Sequence, residues 1–335
     1  MSNTRPDKMM WMKELRAILD ANKDRHAFKD KTVSSRTKDN RHEVLFQCFT
    51  ELRNKCNPPC KLDNPRNFRE KHFELLLAFW LSKKLSSSTL QNRTSVLRTF
   101  CTWIGREGMI KPLETYVDDK SLVKRVQVAQ EDKSWTGNGL DFETKLKEID
   151  AYDLQAGAQI RIIRAFGLRK EEAVSFRPNR AKLLGADQGA IYLEFGTKNG
   201  LKRNVPINTD YQREMLEYAC RLAKTTEGHI GWEELKLHQA VKRMSNIMQK
   251  FKITKKDAGT TLHGLRHENM HEIHLKVTGH PAPIKGGVVA DMDPELVLKA
   301  RHKMTQAAGH ARLSITNAYA GSFRKPKITK KTDLT

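Results

Sequence analysis

Leu262-His263-Gly264-Leu265-Arg266-His267 is the stretch of sequence that most constrains the fold, and Gly309-His310 and Tyr319 follow it towards the C-terminus. These segments have helical character and gather histidine, arginine and tyrosine. A phosphodiester undergoing displacement carries extra negative charge on its non-bridging oxygens, and fixed cationic hydrogen-bond donors stabilise that charge without a metal ion. A tyrosine hydroxyl is a suitable nucleophile for this chemistry. The pattern therefore predicts a phosphoryl-transfer site carried mainly by helices.

The composition favours a polyanionic partner. Among 335 residues, 61 Lys and Arg outweigh 39 Asp and Glu, which gives a formal net charge of +22. Such an excess is typical of nucleic-acid binding, so we expect nucleic acid as the partner. The longest apolar run, Leu75 to Leu81, is too short to cross a bilayer, and residues 1–16 lack the apolar core of a signal peptide. We therefore expect no membrane partner and a cytoplasmic, nucleoid-associated location.

The cysteines indicate reduced thiols. There are five, an odd number in a long chain, which argues against a disulfide framework. Cys56 and Cys60 could supply half of a metal site, but no second pair of cysteines or histidines stands at ligand spacing beside them. We expect packing around the Pro58-Pro59 break instead.

Composition and periodicity divide the chain into five segments. Residues 1–40 are predicted to be a basic N-terminal arm with one short amphipathic stretch, and residues 113–139 a polar linker. Helical apolar stripes between them predict a small all-helical domain over residues 41–112, with Arg93 and Arg98 on its cationic outer face. The second domain is predicted over 140–323 and a basic tail over 324–335.

The second domain is predicted to be mainly helical with a small antiparallel sheet. After Arg180 the apolar period shifts to two, first at Leu183-Leu184, then in residues 191–195 and 204–207. Lys198-Asn199-Gly200 lies between the last two segments, and Asn-Gly is a strong hairpin-turn signal. The stretch from Val277 to Met304 is interpreted as an inserted loop.

Two further residues complete the candidate site. Arg169 follows Gly167 at the start of a predicted helix, and Glu172 lies one turn on, where its carboxylate can hold the guanidinium. Arg169 and Arg266 could form a two-pronged phosphate clamp. Lys198, in the hairpin turn, could reach a DNA groove and protonate a departing sugar oxygen.

With these motifs the chain resembles the tyrosine recombinase, or phage-type integrase, family. The likeness rests on five motifs in order: Gly-Leu-Arg169-x-x-Glu, Thr-Lys198-Asn-Gly-x-Lys-Arg-x-Val-Pro-Ile, His263-x-Leu-Arg266-His, Gly-His310 and Tyr319. Residues 41–110 also resemble the helical, SAM-like core-binding domain of that family. The resemblance implies that the partner is double-stranded DNA with specific recombination sites, held in a two-domain, C-shaped clamp. It also implies a catalytic domain with the tyrosine recombinase fold, and the integration or excision of a mobile element.

The resemblance also implies a role for each residue. Tyr319 would attack the scissile phosphate and form a 3′-phosphotyrosyl bond, so that neither ATP nor any other cofactor is needed. His263 would help the phenol to ionise, and Arg169, Arg266 and His310 would stabilise the phosphorane. Lys198 would be the leaving-group acid, with Lys202 as its substitute.

The remaining implications concern DNA and partners. Lys202 and Arg203 would join Arg93 and Arg98 as contacts to DNA. Four protomers would act together as a homotetramer on two DNA sites, and accessory directionality or DNA-bending proteins could assist them.

Several alternatives stay open on the sequence. The same chemistry could serve a Xer-like resolvase or an enzyme that relaxes supercoils as a type IB topoisomerase does, and a DNA-binding protein of this fold could have lost catalysis. A zinc metallopeptidase is the rival from another class, because His267-Glu268-x-x-His271 matches the zinc signature in which both histidines share one helical face. That reading leaves Arg169, Lys198, Tyr319 and the net charge unexplained.

Overall fold

The structure is a computed structural model, and it describes residues 10–25 and 32–324. The chain divides into two compact units at Val126, with the second unit starting at Gln127. Helices dominate both units among the described residues, and the only sheet in these ranges is a two-stranded antiparallel one. The predicted fold class, mainly α with a small antiparallel sheet, is confirmed.

The first unit is built from four α-helices around an aromatic core. Ser34 and Ser86 cap the second and fourth of them, because each hydroxyl accepts a hydrogen bond from a backbone N–H in the first turn. Phe49, Phe68 and Phe100 meet in this core with no exposed surface. The helices are α1 (Met10–Asn22), α2 (Ser35–Asn54), α3 (Glu70–Ser82) and α4 (Ser87–Trp103), with 3-10 turns at Pro65–Asn67, Leu113–Thr115 and Lys120–Leu122.

The second unit has ten α-helices and two strands in its described part. The elements are α5 (Phe142–Tyr152), α6 (Leu154–Phe166), α7 (Lys170–Val174), α8 (Pro178–Gly185), β1 (Ala190–Leu193), β2 (Arg203–Pro206), α9 (Asp210–Ala223), α10 (Leu237–Lys250), α11 (Lys255–Ala258), α12 (Gly264–Thr278), α13 (Pro294–Ala308) and α14 (Asn317–Ala320). Short 3-10 turns join several of them, at Thr136–Asn138, Ala186–Gln188, Lys198–Gly200, Pro283–Lys285, Val289–Asp291 and Leu313–Thr316.

The strands pair with Ala190 opposite Pro206 and Leu193 opposite Arg203. Residues 194–202 connect them, so the predicted Asn-Gly turn is a 3-10 turn within a longer loop rather than a two-residue hairpin. Leu183-Leu184 was wrongly read as strand: it lies in α8 with both side chains exposed.

Two predicted segment types differ from the structure. Helix α1, which the sequence assigned to the arm, buries Trp11 and Leu15 in the core of the first unit, as their helical spacing allows. The predicted linker is also folded: Leu113 and Val123 are buried in the first unit, whereas Trp135 is fully buried in the second. The rest of the arm in residues 1–9 and 26–31, and the tail in 325–335, lie outside the described residues.

The predicted inserted loop at 277–304 is largely helical, so that prediction was wrong. Helix α13 begins at Pro294 because Asp293 caps it, accepting a hydrogen bond from the backbone N–H of Glu295. Val297, Ala300 and Met304 then bury one face at helical spacing. Helix α13 packs on α12, and this brings its C-terminal end to the candidate site.

Candidate active site

Arg169 is set in place by the end of one helix and the start of the next. Helix α6 ends at Gly167, whose φ of 63° is in the left-handed region. A Cβ there would also lie 2.7 Å from Oδ1 of Asn269, so glycine is required on both grounds. Two residues on, Arg169 caps α7, and its backbone N–H donates to Glu172 Oε2 over 2.8 Å.

Glu172 is a buried carboxylate held between two arginines. Arg169 Nη1 donates to its Oε1 over 2.8 Å, and Arg203 donates to both oxygens over 2.6 and 2.9 Å. The Glu172 side chain has no exposed surface. Burial alone raises the pKa of this carboxyl group, but the hydrogen bonds and charges of Arg203 and Arg169 outweigh burial and lower the pKa to about 2. The predicted support of Arg169 by Glu172 is present, with a second arginine that the sequence did not assign to it.

Arg266 is fully buried near the start of α12. Its Nη1 donates to the carbonyl of Gly167 and its Nη2 to the carbonyl of Ala308, the last residue of α13. Arg169 Nη2 donates to that same Ala308 oxygen over 3.0 Å. One backbone acceptor therefore brings together the two guanidinium groups that the sequence predicted as a clamp.

Tyr319 lies over this pair in the same unit. Its hydroxyl accepts a hydrogen bond from Arg266 Nε over 3.1 Å, and the Arg266 guanidinium carbon is 5.6 Å from the ring centroid. Three histidine rings surround the phenol, with centroids 4.9, 6.2 and 6.4 Å away for His267, His263 and His310 respectively. The structure thus brings together the tyrosine, Arg266 and both predicted histidines.

The histidines around Tyr319 favour the neutral state. Burial and then the charges of Arg169 and Arg266 lower the pKa of His310 to about 4. Burial and the neighbouring histidines lower that of His267 to about 3. His263 at the start of α12 keeps an exposed surface, but desolvation of its ring by the surrounding protein lowers its pKa as well, and the charges of Arg266 and Arg169 add to this effect. A neutral imidazole can accept a proton, which is what a nearby base for the phenol must do.

His310 faces Arg169 across a short gap. Arg169 Nη2 lies 3.4 Å from His310 Nε2, and because a guanidinium can only donate, this nitrogen would be the acceptor, with the ring proton on Nδ1. Gly309 before it closes α13 with a φ of 61°. The turn that presents His310 therefore depends on glycine.

Lys198 lies on the exposed loop between β1 and β2. Its ammonium group has no hydrogen-bond or ion-pair partner within the described ranges, yet its charge contributes to the lowered pKa of His310. It is thus within electrostatic reach of the site. Lys202 lies on the same loop, but its Nζ pairs with Glu194 at 3.4 Å.

A segment that the sequence predicted as linker is bound to helix α12, which carries Arg266. Thr136 donates to Glu268 through its backbone N–H, over 3.1 Å, and through its hydroxyl. Lys285 Nζ lies 3.5 Å from Asp132 and donates to the Thr136 hydroxyl over 3.1 Å. No periodicity marks residues 131–137, and the lone Trp135 among polar residues was the available signal.

The histidines of the zinc-like motif serve other contacts. His271 Nε2 donates to the backbone carbonyl of Tyr319 over 2.9 Å, and Glu268 is bound to Thr136. Over residues 10–25 and 32–324, no group of three or more His, Cys, Asp or Glu is arranged to hold a metal ion. In the same ranges no helix is long and apolar enough to cross a membrane.

All four residues predicted to contact DNA have partners within the protein, Lys202 through Glu194 as described above. Arg93 pairs with Glu51 at 2.9 Å and stacks on Trp80, leaving 8% of the residue exposed, because the helical face that carries it packs against α2 and α3. Arg203 is bound to Glu172, as described. Arg98 is exposed, but its guanidinium donates to the carbonyls of Ile110 and Lys111.

Two family models match consecutive parts of the chain. The one described as "Phage integrase, N-terminal" matches residues 19–110, and the one described as "Integrase" matches residues 129–272. They do not favour the topoisomerase, resolvase or metallopeptidase alternatives. No curated protein matches the chain.

Solved structures extend the likeness to the fold. A lambda integrase dimer bound to a COC′ core site has a TM-score of 0.56 at 12% identity, covering 100% of this chain and 86% of that one. A shorter lambda integrase dimer on the same kind of site has a TM-score of 0.54 at 13% identity, covering 96% and 99%. The Tn1549 transposon integrase in complex with transposon right end DNA has a TM-score of 0.51 at 16% identity, covering 94% of each chain. At such identities these likenesses show the fold.

Proposed function

The chain belongs to the tyrosine recombinase family of site-specific DNA integrases, and we propose that Tyr319 is the nucleophile with which it cuts and rejoins DNA. The observation that carries the proposal is the hydrogen bond of 3.1 Å from Arg266 Nε to the Tyr319 hydroxyl, inside a cluster of cations. A phenol has a pKa of about 10 in water and needs help to ionise at neutral pH. The Arg266 guanidinium holds this oxygen in place beside the other cations that would bind the phosphate.

The proposed reaction is a direct displacement at phosphorus. The Tyr319 oxygen bonds to the scissile phosphorus while the bond to O5′ breaks, which leaves a 3′-phosphotyrosyl ester and a free 5′-hydroxyl. The phenolic proton passes to a neutral histidine, for which His263 and His267 are the nearby candidates. The diester charge is conserved in the covalent intermediate, so the reverse reaction with another 5′-hydroxyl rejoins the strands.

The other residues act on the charge and on the leaving group. Arg169, Arg266 and His310 donate hydrogen bonds to the non-bridging oxygens as negative charge develops. Lys198 gives its proton to O5′ as the bond breaks. Lys202 is the less suitable acid because its ammonium group is paired with Glu194.

The partner is double-stranded DNA that carries specific recombination sites. Phosphate contacts from a chain of net charge +22 would dominate its affinity, so binding should weaken steeply with salt. We further propose that residues 41–112 bind the core site together with the catalytic unit, that four protomers act on two sites, and that accessory proteins set direction. An enzyme with this substrate would act in the cytoplasm, at the nucleoid.

The test is capture of the covalent intermediate. A duplex containing the attachment site, found in the DNA that flanks the gene, is nicked close to the cleavage position so that the released fragment diffuses away. Wild-type protein should accumulate a DNA adduct that resists denaturation, and Tyr319→Phe should form none. Tyr152→Phe, at an exposed tyrosine of the same unit, is the matched control and should form the adduct normally. An undiminished adduct in Tyr319→Phe would refute the assignment.

A further inference from the structure

Arg203 is almost buried, although its place in a basic loop predicts a DNA contact. It is the first residue of β2, and its side chain is 10% exposed. Both of its terminal nitrogens are committed to Glu172, over 2.6 and 2.9 Å. A guanidinium held in this fork geometry by a buried carboxylate is not available to a DNA phosphate. Its function must therefore be sought inside the protein.

The same guanidinium supports the turn that presents His310. A Cβ built on Gly309 would lie 2.6 to 3.0 Å from Cδ, Nε and Cζ of Arg203. The backbone before His310 therefore rests directly on this side chain, and only glycine permits that approach. The Arg203 side chain is also linked to Arg169, because both guanidinium groups donate hydrogen bonds to Glu172. Arg203 is thus a common neighbour of two parts of the phosphate-binding cluster.

Arg203 also ends the loop that carries Lys198. On the other side of this loop a Cβ on Gly196 would lie 2.3 Å from the carbonyl oxygen of Glu171, so the loop approaches the backbone of α7 there. Both ends of the segment from Gly196 to Arg203 are therefore fixed to α7, one by close packing and one by the ion pair with Glu172. Lys198 itself has no partner within the described residues that could hold it.

We propose that Arg203 is a positioning residue for proton transfer, fixing the Lys198 loop to the arginine cluster so that the ammonium group reaches O5′ of the leaving strand. This proposal rests on the assignment of Lys198 as the leaving-group acid. When the P–O5′ bond breaks, its electron pair goes to O5′ and a proton moves from the Lys198 ammonium group to that oxygen. Loss of the Arg203 anchor slows this transfer.

The test uses two leaving groups on the nicked attachment-site duplex. One duplex has the natural O5′, and the other has sulfur in its place at the scissile phosphate. A thiolate leaves without protonation, so a defect in acid catalysis disappears on the sulfur substrate and a defect in phosphate stabilisation persists. A well-placed general acid contributes about 10²- to 10⁴-fold, and a misplacement of about 1 Å costs on the order of 10²-fold.

Three variants give a distinct expected pattern. Arg203→Gln should form adduct about 10²-fold more slowly than wild type on the oxygen substrate and at nearly the wild-type rate on the sulfur substrate. Lys198→Ala should behave in the same way. Arg169→Lys should be slow on both substrates, because it weakens donors to the phosphate itself.

A loop variant keeps the test decisive if Arg203→Gln folds poorly. One extra glycine inserted after Gly200 separates Lys198 from its anchor while leaving the pair of Arg203 and Glu172 intact. Gly200 has a φ of 67°, and no atom lies within 4 Å of the position that a Cβ would take there, so the insertion has room. The same rescue by sulfur is expected. The proposal is overturned if these variants form adduct equally slowly on both substrates, or at the wild-type rate on both. If the wild-type protein forms no adduct at all, the proposed function is overturned instead.

Discussion

Replacing Glu172 by glutamine should destabilise the second unit by an amount that depends on pH. The pKa of this carboxyl group is lowered from 4.5 to about 2, and each pKa unit corresponds to about 1.4 kcal/mol, so ionisation contributes about 3 kcal/mol to folding. Because the folded-state pKa is lowered, this contribution is complete above the unfolded value and is lost as the pH falls from about 5 towards 2. Glutamine resembles the neutral acid and lacks this ionisation contribution at every pH.

The measurement is urea denaturation of the full chain at several pH values. Wild type should exceed Glu172→Gln by about 3 kcal/mol at pH 7, and the difference should shrink steadily below pH 5. Glu171→Gln, at the exposed neighbour on the same helix, is the matched control and should change stability by less than about 0.5 kcal/mol at every pH. A difference that stays constant from pH 7 to pH 3 would contradict the account of a buried, doubly paired carboxylate.

Three further outcomes are expected. Arg93→Met should lower the unfolding free energy by about 3 kcal/mol, since it leaves Glu51 without its buried partner. The salt dependence of DNA binding should stay unchanged in this variant, and a shallower dependence would instead support a contact between Arg93 and a DNA phosphate. Trp135→Ala should cost about 4 kcal/mol in urea denaturation, whereas a true linker residue would cost almost nothing. His271→Ala should slow adduct formation on the order of tenfold, because the Tyr319 carbonyl loses its hydrogen bond, and an unchanged rate would dismiss that contact as incidental.

The sequence predicted the structure correctly where a residue type at a given spacing has one physical explanation. The glycine before Arg169 and the order of the histidine, arginine and tyrosine motifs indicated the cluster that the structure brings together. Periodicity also identified α1, because Trp11, Leu15, Ile18 and Leu19 repeat at the helical period.

It failed where burial is decided by a distant partner. Arg93 reads as an outward-facing cation, yet Glu51 and Trp80 on other helices make burial favourable. Trp135 stands alone among polar residues, so no repeating pattern indicates that it fills the core of the second unit. Arg203 reads as one more cation of a basic loop, and only the fold reveals the carboxylate opposite it. The sequence gives the sign of each charge but does not indicate whether the side chain faces solvent or the protein interior.

The shared acceptor at the end of α13 has a consequence for how this site tolerates mutation. Two like charges are kept close by the carbonyl oxygen of Ala308, a group that every amino acid supplies. A substitution at that position would preserve the acceptor so long as its side chain fits. The genetic constraint falls instead on the neighbouring Gly309, where the left-handed backbone and the contact with Arg203 admit no side chain. In a mutational scan, the most intolerant position of this turn should therefore be one that contributes no functional group at all.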